Sequence, residues 1–72
     1  MKRAEAVALL KELSAVNLIQ PSLVLIERRK PDSYELCIKG FFDLPLITTF
    51  VQKFDLAAEE DTTKGYLCIF KP

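Results

Sequence analysis

Residues 21–40, PSLVLIERRKPDSYELCIKG, predict two β-strands joined by a tight turn. The first strand, 23–29, is rich in branched aliphatic side chains, and in the second Leu36 and Ile38 alternate with smaller or polar residues. The intervening residues 30–33 contain proline, aspartate and serine, which fix φ or bond their own backbone and so favour a turn. The stretch therefore predicts a β-hairpin against which the rest of the chain packs.

Two amphipathic helices are predicted on either side of this hairpin in the sequence. Residues 2–16 place apolar side chains at helical spacing on one face, and Asn17 is a suitable stop because asparagine tolerates the left-handed conformation. Asp43 is a favourable N-cap for the second helix, and Pro45 suits its first turn. The apolar stripe of the second helix consists of Leu46, Ile47, Phe50, Val51 and Phe54, and we expect it to face the core.

The segment 55–61 is ambiguous, because its alanine and glutamate residues also favour a continued helix. The turn-forming residues 62–65 and the apolar run 66–71 behind it favour a second hairpin instead. We therefore predict a polar edge strand at 56–60, followed by a strand at 66–71.

A short internal repeat supports the second hairpin. The tripeptide 36–38, Leu-Cys-Ile, returns as 67–69, and a predicted helix precedes each copy. The chain is therefore interpreted as two α-β-β units in tandem.

The predicted order α-β-β-α-β-β resembles a ferredoxin-like β-α-β-β-α-β domain whose first strand has moved to the end. This resemblance implies an α+β fold of two layers, a permuted ferredoxin-like domain with two helices on one face of a four-stranded, mainly antiparallel sheet. It also implies that the two Leu-Cys-Ile strands are central neighbours and that 23–29 and 56–60 form the edges. We expect a single compact domain over residues 1–72.

Composition limits the classes of function. The 10 basic and 10 acidic residues cancel, so no overall positive field attracts nucleic acid, and no apolar run is long enough to span a bilayer. The chain has no histidine, which is the commonest general base and a common metal ligand. Asp43, Asp55 and the cysteines do not form a recognisable catalytic set. We expect a cytoplasmic protein that is not an enzyme, has no cofactor and does not contact a membrane.

The two cysteines are expected to be reduced and to lie side by side on the central strands. Such a pair suits redox chemistry or a soft metal, but two thiolates alone do not complete a zinc site. Cysteine also behaves as a small buried hydrophobic residue, and we favour this inert interpretation for Cys37 and Cys68.

The alternation of side chains predicts an apolar face on the side of the sheet away from the helices. In a two-layer domain such a face is usually polar, so we expect a homodimer or another protein partner to cover it. The predicted interaction face comprises Val24 or Leu25, Cys37, Tyr66, Cys68 and Phe70. Glu35, Lys39 and Arg28 are predicted to form its polar rim.

The alternative function is nucleic-acid binding by the same sheet and by a basic hairpin tip, Arg28, Arg29 and Lys30. Aromatic side chains on central strands resemble those of RNA-recognition domains, which stack bases there. A third possibility is a small-molecule sensor with its ligand at the dimer interface. We favour a non-catalytic interaction or regulatory module.

Overall fold

The computed structural model describes residues 1–40 and 42–72. Its elements are α1 (Arg3–Ala15), a short 3₁₀ turn (Pro21–Leu23), β1 (Val24–Lys30), β2 (Ser33–Ile38), α2 (Leu44–Gln52), β3 (Ala57–Asp61) and β4 (Tyr66–Phe70). The predicted element order is thus confirmed. The ambiguous segment 55–61 contains a strand rather than a continuation of α2.

The four strands form one open antiparallel sheet in the order β1-β2-β4-β3. The hairpins β1-β2 and β3-β4 meet through their second strands, so β2 and β4 are central and β1 and β3 form the edges. This arrangement confirms the predicted strand neighbours and a two-layer α+β architecture. The ferredoxin-like assignment itself stays a prediction.

Helix α1 begins and ends with local interactions that its sequence supplies. The Glu5 carboxylate accepts a hydrogen bond from the Lys2 backbone N–H at 3.0 Å, which satisfies a free donor at the first turn. Asn17 adopts φ 59°, and the Leu18 N–H donates to the Leu13 carbonyl at 3.0 Å. The predicted stop at Asn17 is therefore confirmed as a left-handed helix end.

Helix α2 is shorter than its apolar stripe predicts. Asp43 caps it by accepting a hydrogen bond from the Leu46 N–H at 3.1 Å, and the helix ends at Gln52. Asp55 then adopts φ 58°, which turns the chain into β3. At 13 and 9 residues, neither helix in the described part of the chain is long and apolar enough to cross a membrane.

The core lies between the sheet and the two helices. Leu36, Ile38, Leu67 and Ile69 project from the central strands and are at most 1% exposed. From the helices, the side chains that close this layer are Ala6, Leu9, Leu13, Ile47 and Val51. Because each fully buried aliphatic side chain contributes about 1.5–3 kcal/mol, the repeated Leu-Cys-Ile segments are a main source of stability.

Candidate functional site: the open sheet face

The side of the sheet away from the helices is here called the open sheet face. It carries both cysteines, together with charged and aromatic side chains of the strands. The strand registers and the alternation of side chains decide which residues lie on it. They are Leu25, Glu27, Arg29, Glu35, Cys37, Lys39, Ala57, Glu59, Asp61, Tyr66, Cys68 and Phe70.

The structure brings most of the predicted interaction face together here, with one correction. Val24 pairs with Ile38 and packs against the core on the helix side, so it does not belong to the face. Leu25, which pairs with Cys37, lies on the open sheet face and is 40% exposed. The continuous aliphatic run in β1 has no alternation that could have distinguished the two.

The two cysteines lie at the centre of a local two-fold arrangement. Cys37 pairs with Cys68, and on either side Leu36 pairs with Ile69 and Ile38 with Leu67. A rotation of 180° between the two cysteines therefore exchanges the two tripeptides. The sequence repeat thus corresponds to a repeat in the structure.

The predicted neighbourhood of the two thiols is confirmed. Their Sγ atoms lie 3.5 Å apart, and Cys37 is 1% exposed. Burial is the main cause that raises the pKa of Cys37, and Cys68, Glu35 and Glu27 raise it further. Burial and nearby carboxylates also raise the pKa of Cys68, although its contact with Cys37 opposes this. Both groups are therefore protonated and weakly nucleophilic at neutral pH in the metal-free protein.

Two carboxylates surround the Cys37 thiol. Glu35 Oε1 lies 3.7 Å and Glu27 Oε2 lies 3.8 Å from Cys37 Sγ. The other Glu35 oxygen, Oε2, accepts a hydrogen bond from Arg29 Nη1 at 2.9 Å. This ion pair directs Oε1 toward the sulfur atoms. Sequence reasoning placed Glu35 in a polar rim and missed its position beside the thiols.

Cationic side chains cover the aromatic residues of the open sheet face. The Arg29 guanidinium lies 3.8 Å from the centroid of the Phe70 ring, and Lys39 Nζ lies 5.1 Å from that of Tyr66. Such contacts shield the rings from water and are attractive in their own right. The face is consequently less apolar than strand alternation alone predicts.

The basic residues of the hairpin tip do not act as one patch. Arg28 Nη2 lies 3.4 Å from the Tyr34 hydroxyl, and Tyr34 packs against the core on the helix side. Arg29 lies on the opposite face with Glu35, and Lys30 is exposed. Arg28 therefore does not belong to the predicted rim, and Arg29 occupies that place.

A second apolar surface lies on the helical layer. Within the stripe predicted for α2, Ile47 and Val51 are buried, but Leu46 is 56% exposed and Phe54 is 50% exposed. We call Leu46, Phe50 and Phe54 the α2 stripe. Leu46 and Phe50 border a cavity of about 240 Å³ that Val16, 48% exposed, also lines, whereas Phe54 packs near Phe50 with 5.6 Å between the ring centroids. The sequence pattern alone does not distinguish the exposed from the buried positions of this stripe, and Phe54 lies beyond the end of the helix at Gln52.

The aspartates considered as catalytic candidates have structural positions. Asp43 caps α2, and Asp55 forms the left-handed turn after it. Neither is part of the cluster around the two thiols.

Comparison with family models, with curated proteins and with solved structures found no match for this chain.

Proposed function

We propose that this chain is a small, non-catalytic interaction module of the cytoplasm that pairs with a second copy of itself. The observation that supports this proposal is the α2 stripe, where Leu46 is 56% and Phe54 is 50% exposed, and where Leu46 and Phe50 line a cavity together with Val16. Neighbouring apolar side chains of this size on a small domain are typical of a surface that another molecule covers.

The second copy is the favoured partner because the surface is self-complementary in charge. Asp43 lies at the start of α2 and Lys53 at its end, on the same side of the helix as Leu46 and Phe50. If two copies pack α2 against α2 in antiparallel fashion about a two-fold axis, each Asp43 approaches the other copy's Lys53. The same packing places the two helix dipoles antiparallel, which is electrostatically favourable.

The open sheet face is the less favoured interface for this pairing. Stacking two copies there would desolvate the carboxylates around Cys37, together with the Arg29 and Lys39 side chains that cover its aromatic rings. Self-association through Leu25, Tyr66 and Phe70 nevertheless stays a prediction, and the experiment below distinguishes it from pairing through α2.

The nucleic-acid alternative receives less support from the geometry. Arg28 and Arg29 lie on opposite faces, and Arg29 already forms an ion pair with Glu35. The carboxylates on the open sheet face would repel a phosphate backbone that lay across the sheet. Binding that weakens steeply with added salt would favour this alternative over self-association.

The test is the solution mass, measured by light scattering after gel filtration over a range of protein concentrations. We expect a dimer, and Leu46→Asp should raise its dissociation constant by about tenfold or more, because a charge replaces an apolar contact. Leu25→Asp is the matched control, since Leu25 is similarly exposed but lies on the open sheet face.

Two results would contradict the proposal. A monomer at every concentration would remove self-association altogether. A dimer that Leu25→Asp dissociates and Leu46→Asp leaves intact would place the interface on the open sheet face instead of α2. Far-UV circular dichroism of each variant establishes that the fold is retained.

A further inference from the structure

The central cluster of the open sheet face contains more hydrogen-bond acceptors than thiol protons that could be donated to them. The single S–H of Cys37 has the Cys68 sulfur, Glu35 Oε1 and Glu27 Oε2 within 3.8 Å. Thiols are weak donors and carboxylates are strong acceptors, so the thiol protons satisfy this cluster poorly. A cation among the three groups would satisfy it better.

The donor atoms also have the spacing of a metal site. Two sulfurs that bind one zinc ion at about 2.3 Å in tetrahedral geometry are about 3.8 Å apart, and a sulfur and a carboxylate oxygen are about 3.5 Å apart. The observed separations are 3.5 Å between the sulfurs and 3.7 Å between Cys37 Sγ and Glu35 Oε1. All three ligand atoms of Cys37, Cys68 and Glu35 lie within 4.8 Å of one another.

We propose that Cys37, Cys68 and Glu35 form a binding site for a zinc-like divalent metal ion. Two thiolates and one carboxylate are ligands for a borderline-soft ion such as zinc or cobalt, and they disfavour magnesium and calcium. A water molecule supplies the fourth ligand. The site needs no histidine, because Glu35 provides the third ligand that the two cysteines lack.

Arg29 acts as a positioning residue for this site. It holds Glu35 Oε2 at 2.9 Å, which leaves Oε1 directed toward the sulfurs, and the Glu35 side chain is only 15% exposed. Partners of this kind orient a ligand and keep its charge balanced. A depression of about 290 Å³, lined by Arg29, Glu35, Cys68 and Phe70 among others, gives an ion access from the solvent.

The test uses the full chain, kept reduced with a phosphine that does not bind metals, and titrated with Co²⁺ and then with competing Zn²⁺. We expect one Co²⁺ per chain, with a thiolate-to-cobalt charge-transfer absorption that Zn²⁺ abolishes. Cys68→Ser, at a half-buried position that tolerates a hydroxyl, should remove most of this absorption. Glu35→Gln should keep the absorption and weaken binding by about tenfold or more.

Glu12→Gln, on the exposed surface of α1, is the matched control and should bind Co²⁺ as the unmodified chain does. Leu46→Asp should also bind normally, because the site lies within one chain and does not depend on the proposed pairing through α2. The metal proposal and the pairing proposal can therefore fail separately.

Three results would overturn the metal site. The first is an absence of charge-transfer absorption at millimolar Co²⁺ while both thiols titrate as reduced. The second is absorption that survives in Cys68→Ser at full strength. The third is a stoichiometry of one ion per two chains, or loss of binding in Leu46→Asp, since either would place the ligands between copies.

Discussion

The guanidinium of Arg29 on edge strand β1 lies 3.8 Å from the ring centroid of Phe70 on β4, although β2 separates the two strands. The same guanidinium forms an ion pair with Glu35 on β2. One side chain thus connects three of the four strands on the open sheet face, and it joins the two hairpins.

Replacing Arg29 should therefore weaken the connection between the hairpins. We expect Arg29→Ala to lower the free energy of unfolding by about 1 kcal/mol, since it removes a cation–π contact and a partly exposed ion pair. Urea denaturation measures this, with Lys30→Ala as the control at an exposed neighbouring position. Equal losses in the two variants would show that the contacts of Arg29 contribute nothing specific.

The left-handed residues after the two helices should respond to substitution in a predictable way. Asn17 and Asp55 have φ near +60°, where β-branched side chains are strained. Asn17→Val should lower the free energy of unfolding by about 1–2 kcal/mol, whereas Asn17→Gly should leave it nearly unchanged or raise it. If thermal or urea denaturation found both variants equally destabilised, the loss would come from the asparagine side chain and not from backbone strain.

Neighbouring apolar residues of α2 should differ sharply in their effect on stability. Ile47 is fully buried and Leu46 is 56% exposed. Ile47→Ala should lower the free energy of unfolding by about 2–5 kcal/mol, because it leaves a cavity in the core. Leu46→Ala should change the stability of the monomer by about 0.5 kcal/mol or less. Urea denaturation at protein concentrations below that at which copies pair tests this contrast.

The buried thiol predicts a loss of stability at high pH. Because the pKa of Cys37 is raised above its usual value of 9.0, the unfolded chain loses this proton at a lower pH than the folded chain. Stability should be insensitive to this group below pH 9.0 and should fall above it, by up to about 1.4 kcal/mol per pH unit. Denaturation in the presence of a metal chelator, at pH values from 8 to about 10.5, should give a shallower decline for Cys37→Ala than for the unmodified chain. If the stability of both chains declined equally with pH, Cys37 would not be the cause of the decline.

Local sequence patterns were sufficient to predict the element order, the central strand pair and the neighbouring cysteines. These features follow from the two-residue alternation in β2 and β4 and from turn-forming residues between strands. Which of Val24 and Leu25 lies on the open sheet face could not be predicted, because both sides of β1 are aliphatic at that point. The pairing of β1 with β2 determines it.

The functional surfaces were harder to predict than the fold. The position of Glu35 beside the thiols depends on its ion pair with Arg29, which joins different strands and leaves no local pattern. The α2 stripe was predicted as core because every position suited a buried helix face. Leu46 is exposed although Ile47 beside it is buried, and Phe54 lies beyond the end of the helix at Gln52.

The two-fold arrangement around the cysteines has a consequence for the path of folding. Each hairpin joins residues close in sequence, whereas the pairing of Cys37 with Cys68 joins positions 31 residues apart. The larger loss of loop-closure entropy therefore accompanies the association of β2 with β4, and not the formation of either hairpin. Conservative truncations of Ile38 and Leu67 should slow folding, whereas those on edge strand β3 should mainly speed unfolding, as stopped-flow kinetics would measure.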